Sequence, residues 1–381
     1  MEMSPDFIKE NHLYLKTCIL YEVLQKKPIF DSYRNFCNTV GKDAMDYPNF
    51  EFWYYRFYHG CRDFDYDRSA DPEPKTLVDI PVVLMNKIAE YLDPVERTYL
   101  RSMNHALKTV VDYFPPVFEK IEISISDTNL RWNLNNQSFS CFKKEGGCTL
   151  YRPNFPVEKS EMCHIQKGLK HLAPLLKIPN VQVNLLSLNL FEQIPDRDDL
   201  LPVPFNAKRV LFWSQDMNKV LQYLSGMNPG HLESISLDGL ISDELENHRI
   251  LFETDQFKQA KRAEFKYYWG FNVEDLASFS HLHRLKCQVR IDNTFEDVPR
   301  IRDILSTFEE LESCELELMG RLGRVPMREL ADALGEDTGP LAEGEHLTII
   351  HRYRIPDSND SLEFKINNGG SRCRLEIHRI R

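Results

Sequence analysis

No run of about 18 or more apolar residues occurs in the 381-residue chain, so no helical membrane span is expected. The start, MEMSPDFIKENHLYLKT, carries acidic residues and lacks the charged-then-apolar progression of a secretory signal. Nine cysteines form no C-x-x-C pair, and their odd, scattered set fits reduced thiols in the cytoplasm or nucleus. Cys148, Cys163 and His164 have no fourth ligand at regular spacing, so neither a metal nor a cofactor is expected. There is no G-x-x-x-x-G-K-[ST], no G-x-G-x-x-G after a strand, no H-E-x-x-H and no G-x-S-x-G, which leaves no catalytic constellation and points to a non-enzyme. His281 and His283 precede a strand and read as incidental surface residues. Cations are the scarcer charge: 47 Lys and Arg stand against 58 Asp and Glu, a formal net of −11. That balance argues against a dedicated nucleic-acid binder, which carries a basic face.

What remains is an ordinary globular composition, 42% hydrophobic and 28% charged, on a chain long enough for about two or three domains. DFDYDRSADPEPKT, residues 63–76, is charged and contains Pro72 and Pro74, so 69–76 reads as a linker between helical modules. A second break follows Phe114 at Pro115-Pro116. Beyond it the helical first third gives way to strands and helices in alternation, an α+β multidomain chain. Lys120 to Ile125 alternates as a strand with Ile121, Ile123 and Ile125 on one face. Residues 135–165 hold short strand-like pieces, with a hairpin around Gly146-Gly147.

Residues 7–68 read as three helices. His12 to Leu24 is helical, a second helix begins at Asp31 as N-cap and stops at Gly41, and a third covers Asn49 to His59. Ten aromatics fall between Tyr47 and Tyr66. GKDAMDYPNFEFWYYRFYHGCRDFDYDRS resembles the helix-turn-helix of mariner-type transposases, in which the second helix enters a DNA major groove. Between Gly41 and Lys75, however, five Lys/Arg face eight Asp/Glu. A local net of −3 repels phosphate, and aromatics at helical spacing usually form core.

Residues 77–118, opening LVDIPVVLMNKIAEYLDPVERTYLRSM, read as three short helices. Pro81 and Pro94 each sit at a helix start, and Leu84, Ile88, Tyr91 and Leu92 share one apolar stripe. Tyr99, Leu100, Met103 and Leu107 continue the apolar pattern. On these residues alone the segment could be a helical hairpin buried against the next domain. It resembles an F-box, whose pattern L-P-x-E-L-L-x-x-I-L-x-x-L-D-P is met by Ile80-Pro81, Leu84, Ile88 and Leu92-Asp93-Pro94. Val82 replaces the usual acidic residue, and Asn104-His105-Ala106-Leu107 replaces a Cys-Arg-x-Trp. The resemblance implies docking of a Skp-type adaptor by Ile80, Pro81, Leu84, Ile88, Leu92, Pro94 and Leu100.

Residues 119–381 carry a loose Leu-x-x-Ile-x-Leu repeat. Its middle members are Leu186, Val210, Ile235, Ala263, Leu285 and Cys314, at intervals of 24, 25, 28, 22 and 29 residues. Helical stretches lie between, one of them capped by Ser214. This is the pattern of an irregular leucine-rich-repeat-like α/β solenoid. Three final strands, 345–355, 361–367 and 372–380, with a turn at Asn367-Asn368-Gly369-Gly370, read as a closing antiparallel meander. The exposed positions between core residues are candidates for target binding: Glu233, Ser236, Asp238, Glu264, Lys266 and Tyr268.

In this order the three parts resemble the nematode F-box proteins of the FTH-domain type (F-box A). The resemblance implies a substrate-recognition adaptor of a cullin-type ubiquitin ligase, with a Skp-type adaptor, a cullin and an unidentified target protein as partners. DNA binding through residues 7–68 and a protein-interaction scaffold outside any ligase are the two alternatives.

Overall fold

A computed structural model describes residues 6–67, 79–190, 195–239, 245–266, 270–320, 323–336, 348–368 and 373–381. Two compact units divide near Leu77. The expected linker 69–76 and the turn residues Gly369 and Gly370 fall outside the described residues.

The first unit is helical: α1 Asp6–Lys9, α2 His12–Leu24, α3 Ile29–Val40 and α4 Tyr47–Tyr58. Its core joins Leu15, Ile19 and Val23 of α2 to Phe36 and Val40 of α3 and to Phe50, Trp53, Tyr54 and Phe57 of α4. The crowded aromatics are therefore mostly interior, as their spacing suggests. Two helix starts differ from expectation. Pro28 stands at the N-cap of α3 and Asp31 lies within its first turn. The third helix begins at Tyr47, because the Asp46 side chain accepts from the Asn49 N–H.

The second unit opens with α5 Val82–Tyr91, α6 Pro94–Met103 and α7 His105–Asp112. Four consecutive antiparallel pairings then link β1 Val117–Ile125, β2 Asn129–Leu134, β3 Gln137–Lys144, β4 Gly147–Tyr151 and β5 Glu158–Ser160. Helix α8 His164–Leu176 leads to β6 Gln182–Leu190, which pairs parallel with β1. There follow α9 Arg197–Leu200, β7 Asn206–Ser214, α10 Met217–Ser225, β8 Ser234–Asp238, α11 Leu245–Glu253, α12 Asp255–Gln259 and β9 Arg262–Phe265. A short β10 Gly270–Asn272 and a 3₁₀ helix Val273–Phe279 precede β11 Arg284–Arg290, α13 Thr294–Ser306 and β12 Ser313–Gly320. The unit ends with β13 Gly323–Arg324, α14 Met327–Leu334 and the strands β14 Thr348–Arg354, β15 Ser361–Asn368 and β16 Cys373–Ile380.

All of these strands belong to one mixed sheet of 16, ordered β14-β15-β16-β12-β11-β9-β8-β7-β6-β1-β2-β3-β4-β5, with β10 and β13 beside β11 and β12. Strands β6 to β9, β11 and β12 are parallel, and β14 to β16 close that side as an antiparallel meander. The marker residues read from the repeat lie in a single cross-strand line: Leu186 opposite Val210, then Ile235, Ala263, Leu285 and Cys314. None is more than 3% exposed. Burial of one face sets this register, since a slip of one residue would turn every core side chain toward water. The line has a further rung: Ile121 pairs with Leu186, and Phe118-x-x-Ile121-x-Ile123 repeats the motif on β1.

Helices cover the face bearing these residues. Helix α10 contributes Val220, Tyr223 and Leu224, α13 Val298, Ile301 and Leu305, and α14 Leu330 and Leu334, all joined to the sheet in one core. Asp216, not Ser214, caps α10, accepting from the N–H groups of Asn218 and Lys219. Ser214 ends β7 and bonds to the backbone of Asp216. His281 is likewise structural: it packs against Phe257, and its ring Nε2 lies 2.9 Å from the Phe257 carbonyl oxygen.

Candidate protein-docking surfaces

Helix α5 has apolar residues on both sides, and the fold buries one of them. Met85 and Ala89 are 3% and 0% exposed and enter a small core with Leu100, Leu107 and Val111. Val82, Val83, Leu84, Ile88 and Tyr91 are left in water, Leu84 at 50%, Ile88 at 41% and Tyr91 at 89% exposure. Exposed apolar side chains gathered on one short helix are uncommon on a monomer and mark a contact surface.

Local chemistry holds this helix in place. The Arg97 guanidinium donates to the carbonyls of Leu92 and Glu90, satisfying acceptors at the end of α5. Asp93 accepts from the N–H groups of Val95 and Glu96, while the Glu96 carboxylate accepts from the Asp93 N–H, a full capping box on α6. Asn104 accepts from the Leu107 N–H to start α7, which is what the Asn-His-Ala-Leu variant supplies at that point. Arg101 and Asp112 tie α6 to α7 at 2.6 Å. Val95 reaches from α6 into the core of the sheet.

The seven docking candidates therefore separate. Pro81, Leu84 and Ile88 lie on the outside, and Ile80, Leu92 and Pro94 are half-buried. Leu100, at 7% exposure, is part of the core and offers no side chain to a partner. The continuation of the apolar pattern also divides, since Tyr99 and Met103 are exposed while Leu107 is buried. Val82 and Val83 join the exposed row, a role that adjacency to the first Pro already signals.

The second surface is the face of the sheet that none of the described helices covers. Ser236, Asp238, Glu264 and Lys266 come together there. Ser236 Oγ lies 3.3 Å from a Glu264 oxygen, and the Lys266 and Lys286 ammonium groups lie 3.9 and 3.8 Å from the same carboxylate. Lys286 also meets Glu315 at 3.1 Å, and Arg374 approaches Glu315 at 3.6 Å. Glu264, Lys286 and Glu315 border a depression of about 280 Å³ between Asp238, Lys266, Gln288, Glu317 and Arg374. Glu233 stands at the strand entrance, its N–H bonded to the Lys208 carbonyl and its own carbonyl to the Lys261 and Arg262 N–H groups. Tyr268 lies outside the described residues. The contributions of Lys286, Glu315 and Arg374 were not singled out from the sequence, although the repeat register places the first two beside Glu264.

Burial pushes the thiols of Cys141, Cys287 and Cys314 on the strands well up. Lys120 hydrogen-bonds Glu122 and holds its carboxyl below the usual range. Arg284 does the same for Glu312. Among the described residues, no group of three or more metal-binding side chains occurs and no helix is long and apolar enough to cross a membrane.

In the first unit, α4 stands where a groove-reading helix would be. Its exposed residues are Pro48, Asn49, Tyr55 and Tyr58, while Arg56 lies over the Tyr66 ring at 3.6 Å. Lys16 of α2 is drawn over Trp53 at 3.9 Å and donates to the Phe64 carbonyl. The single cations of α2 and α4, Lys16 and Arg56, are thus held on aromatic rings and turned away from base or phosphate contact.

Comparison with known proteins adds three findings. Residues 12–61 match the family model of the HTH domain in Mos1 transposase. Residues 199–327 match the FTH domain, spanning β7 through β12 and hence much of the open sheet face. A relative from Caenorhabditis elegans, F-box A protein 224, is 29% identical over 322 residues, covering 79% of this chain and 82% of its own. With matches to the Mos1-type helix-turn-helix and to the FTH domain and this relative on a single chain, the protein is similar to the nematode F-box proteins that bear an FTH domain.

Proposed function

We propose that the chain is a substrate-recognition adaptor of a cullin-type ubiquitin ligase, in which α5 docks a Skp-type adaptor and the open sheet face holds a target protein. The observation that carries this reading is the row Val82, Val83, Leu84, Ile88 and Tyr91, which the unit leaves in water while burying Met85 and Ala89. An apolar helix face of this kind suits a groove on a helical partner. The kinship to an F-box A protein supports the same partner class.

In this reading the parallel strands form an irregular leucine-rich-repeat sheet. Its buried line from Ile121 to Cys314 gives rigidity and its other face gives specificity. Catalysis belongs to other subunits, and the working compartment is the cytoplasm or nucleus. Reconstitution with a purified Skp-type adaptor and cullin tests the assignment. The expected result is one co-eluting complex that loses this chain on Leu84→Asp. A chain that elutes alone in every mixture removes the ligase reading and leaves a free-standing interaction scaffold. DNA binding through residues 7–68 has the family match in its favour and the internally occupied cations of α2 and α4 against it.

A further inference from the structure

We propose that the uncovered sheet face recognises anionic side chains, carboxylate or phosphomonoester, on an extended segment of its protein target, through a line of arginines at the entrance of the parallel strands. The proposal rests on the reading of this face as the target-holding surface. Three strands carry an arginine immediately before their second core residue: Arg209, Arg262 and Arg284. Strand register sets them in one cross-strand line with two serines, in the order Arg209, Ser234, Arg262, Arg284, Ser313. Lys208 and Lys261 precede the first two arginines and are exposed.

Arg262 and Arg284 are direct cross-strand neighbours, about 4.8 Å apart along the sheet. Like charges placed directly opposite one another destabilise a sheet. Part of the excess charge is met inside the chain. Arg284 pairs with Glu312 at 2.8 Å, and the Arg209 guanidinium lies 3.4 Å from the Asn184 carbonyl oxygen. Lys208, Lys261 and Arg262 form no ion pair with a described residue.

A depression of about 360 Å³ opens beside Arg262 and Arg284, with Ser234 and Ser313 on its wall. Its lining is charge-balanced, Arg262, Arg284 and Lys286 standing against Glu264, Glu315 and Glu376. Along the arginine line and this depression together, Lys208, Arg209, Lys261, Arg262, Arg284 and Lys286 stand against Glu233, Glu264, Glu312, Glu315 and Glu376, six positive charges against five negative on a chain whose net is −11. Two uncompensated guanidinium forks flanked by serine hydroxyls suit bidentate capture of carboxylate or phosphate groups. A surplus of one is small beside the roughly six to ten phosphate contacts of a nucleic-acid binder, which favours a peptide.

The test uses the full chain and fluorescence anisotropy with labelled octaglutamate, a serine-phosphorylated peptide of equal charge, octaglutamine and oligo-dT. Binding of one or both anionic peptides is expected, weakening at least tenfold in R209Q/R262Q and falling with salt, while octaglutamine does not bind. The stronger of the two peptides identifies the anion. The melting temperature of the double variant should stay level or rise, because an opposed arginine pair is relieved. Unchanged peptide binding in the double variant, tighter binding of oligo-dT than of either peptide, or a fall in melting temperature that accompanies lost binding would each overturn the proposal. The Leu84→Asp variant should keep peptide binding in full, so failure of Skp-type docking and failure of this site are read separately.

Discussion

Substituting adjacent residues of α5 should separate a docking face from a core face by their opposite effects on stability. Leu84 is 50% exposed and occupies the third position of the helix, whereas Met85 is 3% exposed within the core of α5, α6 and α7. Full burial of a leucine side chain contributes about 1.5–3 kcal/mol, so a half-exposed one contributes on the order of 1 kcal/mol. An aspartate in the first helical turn recovers about 0.3–1 kcal/mol from the helix dipole. Leu84→Asp should therefore cost about 0–1 kcal/mol. Met85→Ala removes fully buried atoms and leaves a cavity, at about 2–5 kcal/mol. Urea unfolding of the full chain, followed by circular dichroism, measures both. If Leu84→Asp costs as much as Met85→Ala, the exposed row is interior in solution and the docking argument fails.

Three further outcomes follow from the geometry. Ile235→Ala, in the buried cross-strand line, should cost about 2–4 kcal/mol, whereas Ser236→Ala on the open face should change stability by less than about 0.5 kcal/mol in the same unfolding assay. Burial holds His281 and His171 below the ordinary imidazole range, Lys167 and Arg152 adding to the effect at His171. The unfolded chain then binds more protons than the folded one as pH falls below about 6.5, so stability should decline from there through the lowered folded values. His281→Gln should flatten that decline in melts taken from pH 7 to 5, and an identical slope would refute the assignment. Duplex DNA should show no salt-dependent affinity for the full chain through its first unit, because Arg56 and Lys16 are held on Tyr66 and Trp53. A gel shift at low salt that Arg56→Ala removes would contradict this.

The repeat was legible because a parallel strand with one buried face must space its core residues in a fixed way. Each marker from Leu186 to Cys314 proved to lie opposite the next. The rung at Ile121 escaped the spacing because β2 to β5 and α8 intervene before its partner Leu186. Those strands alternate polar and apolar residues over short stretches such as QSFSCFKK, where a strand, a turn and a loop share the same composition. Helix starts failed where two capping residues compete: Ser214 and Asp216 both suit an N-cap, and the carboxylate of Asp216 took the role. On α5 the sequence VVLMNKIAEY is apolar on both sides, so periodicity alone identifies faces without saying which one is buried. The structure buries Met85 and Ala89, and with them sets the outward row on which the functional proposal stands. Among the target-binding candidates, Ser236, Asp238, Glu264 and Lys266 were readable from alternation, while Arg374 reaches the same depression from the final strand, far outside the repeat.

The affinity of the intact chain for a purified Skp-type adaptor tests the central claim most directly. Isothermal titration should give a one-to-one complex for the native chain. Two exposed apolar anchors lost together, Leu84→Asp with Ile88→Asp, should weaken it by about 100-fold or more with the helical signal unchanged, since central interface residues are worth about 2 kcal/mol or more each. An absence of heat from the native chain, or equal affinity in the double variant, would contradict the account.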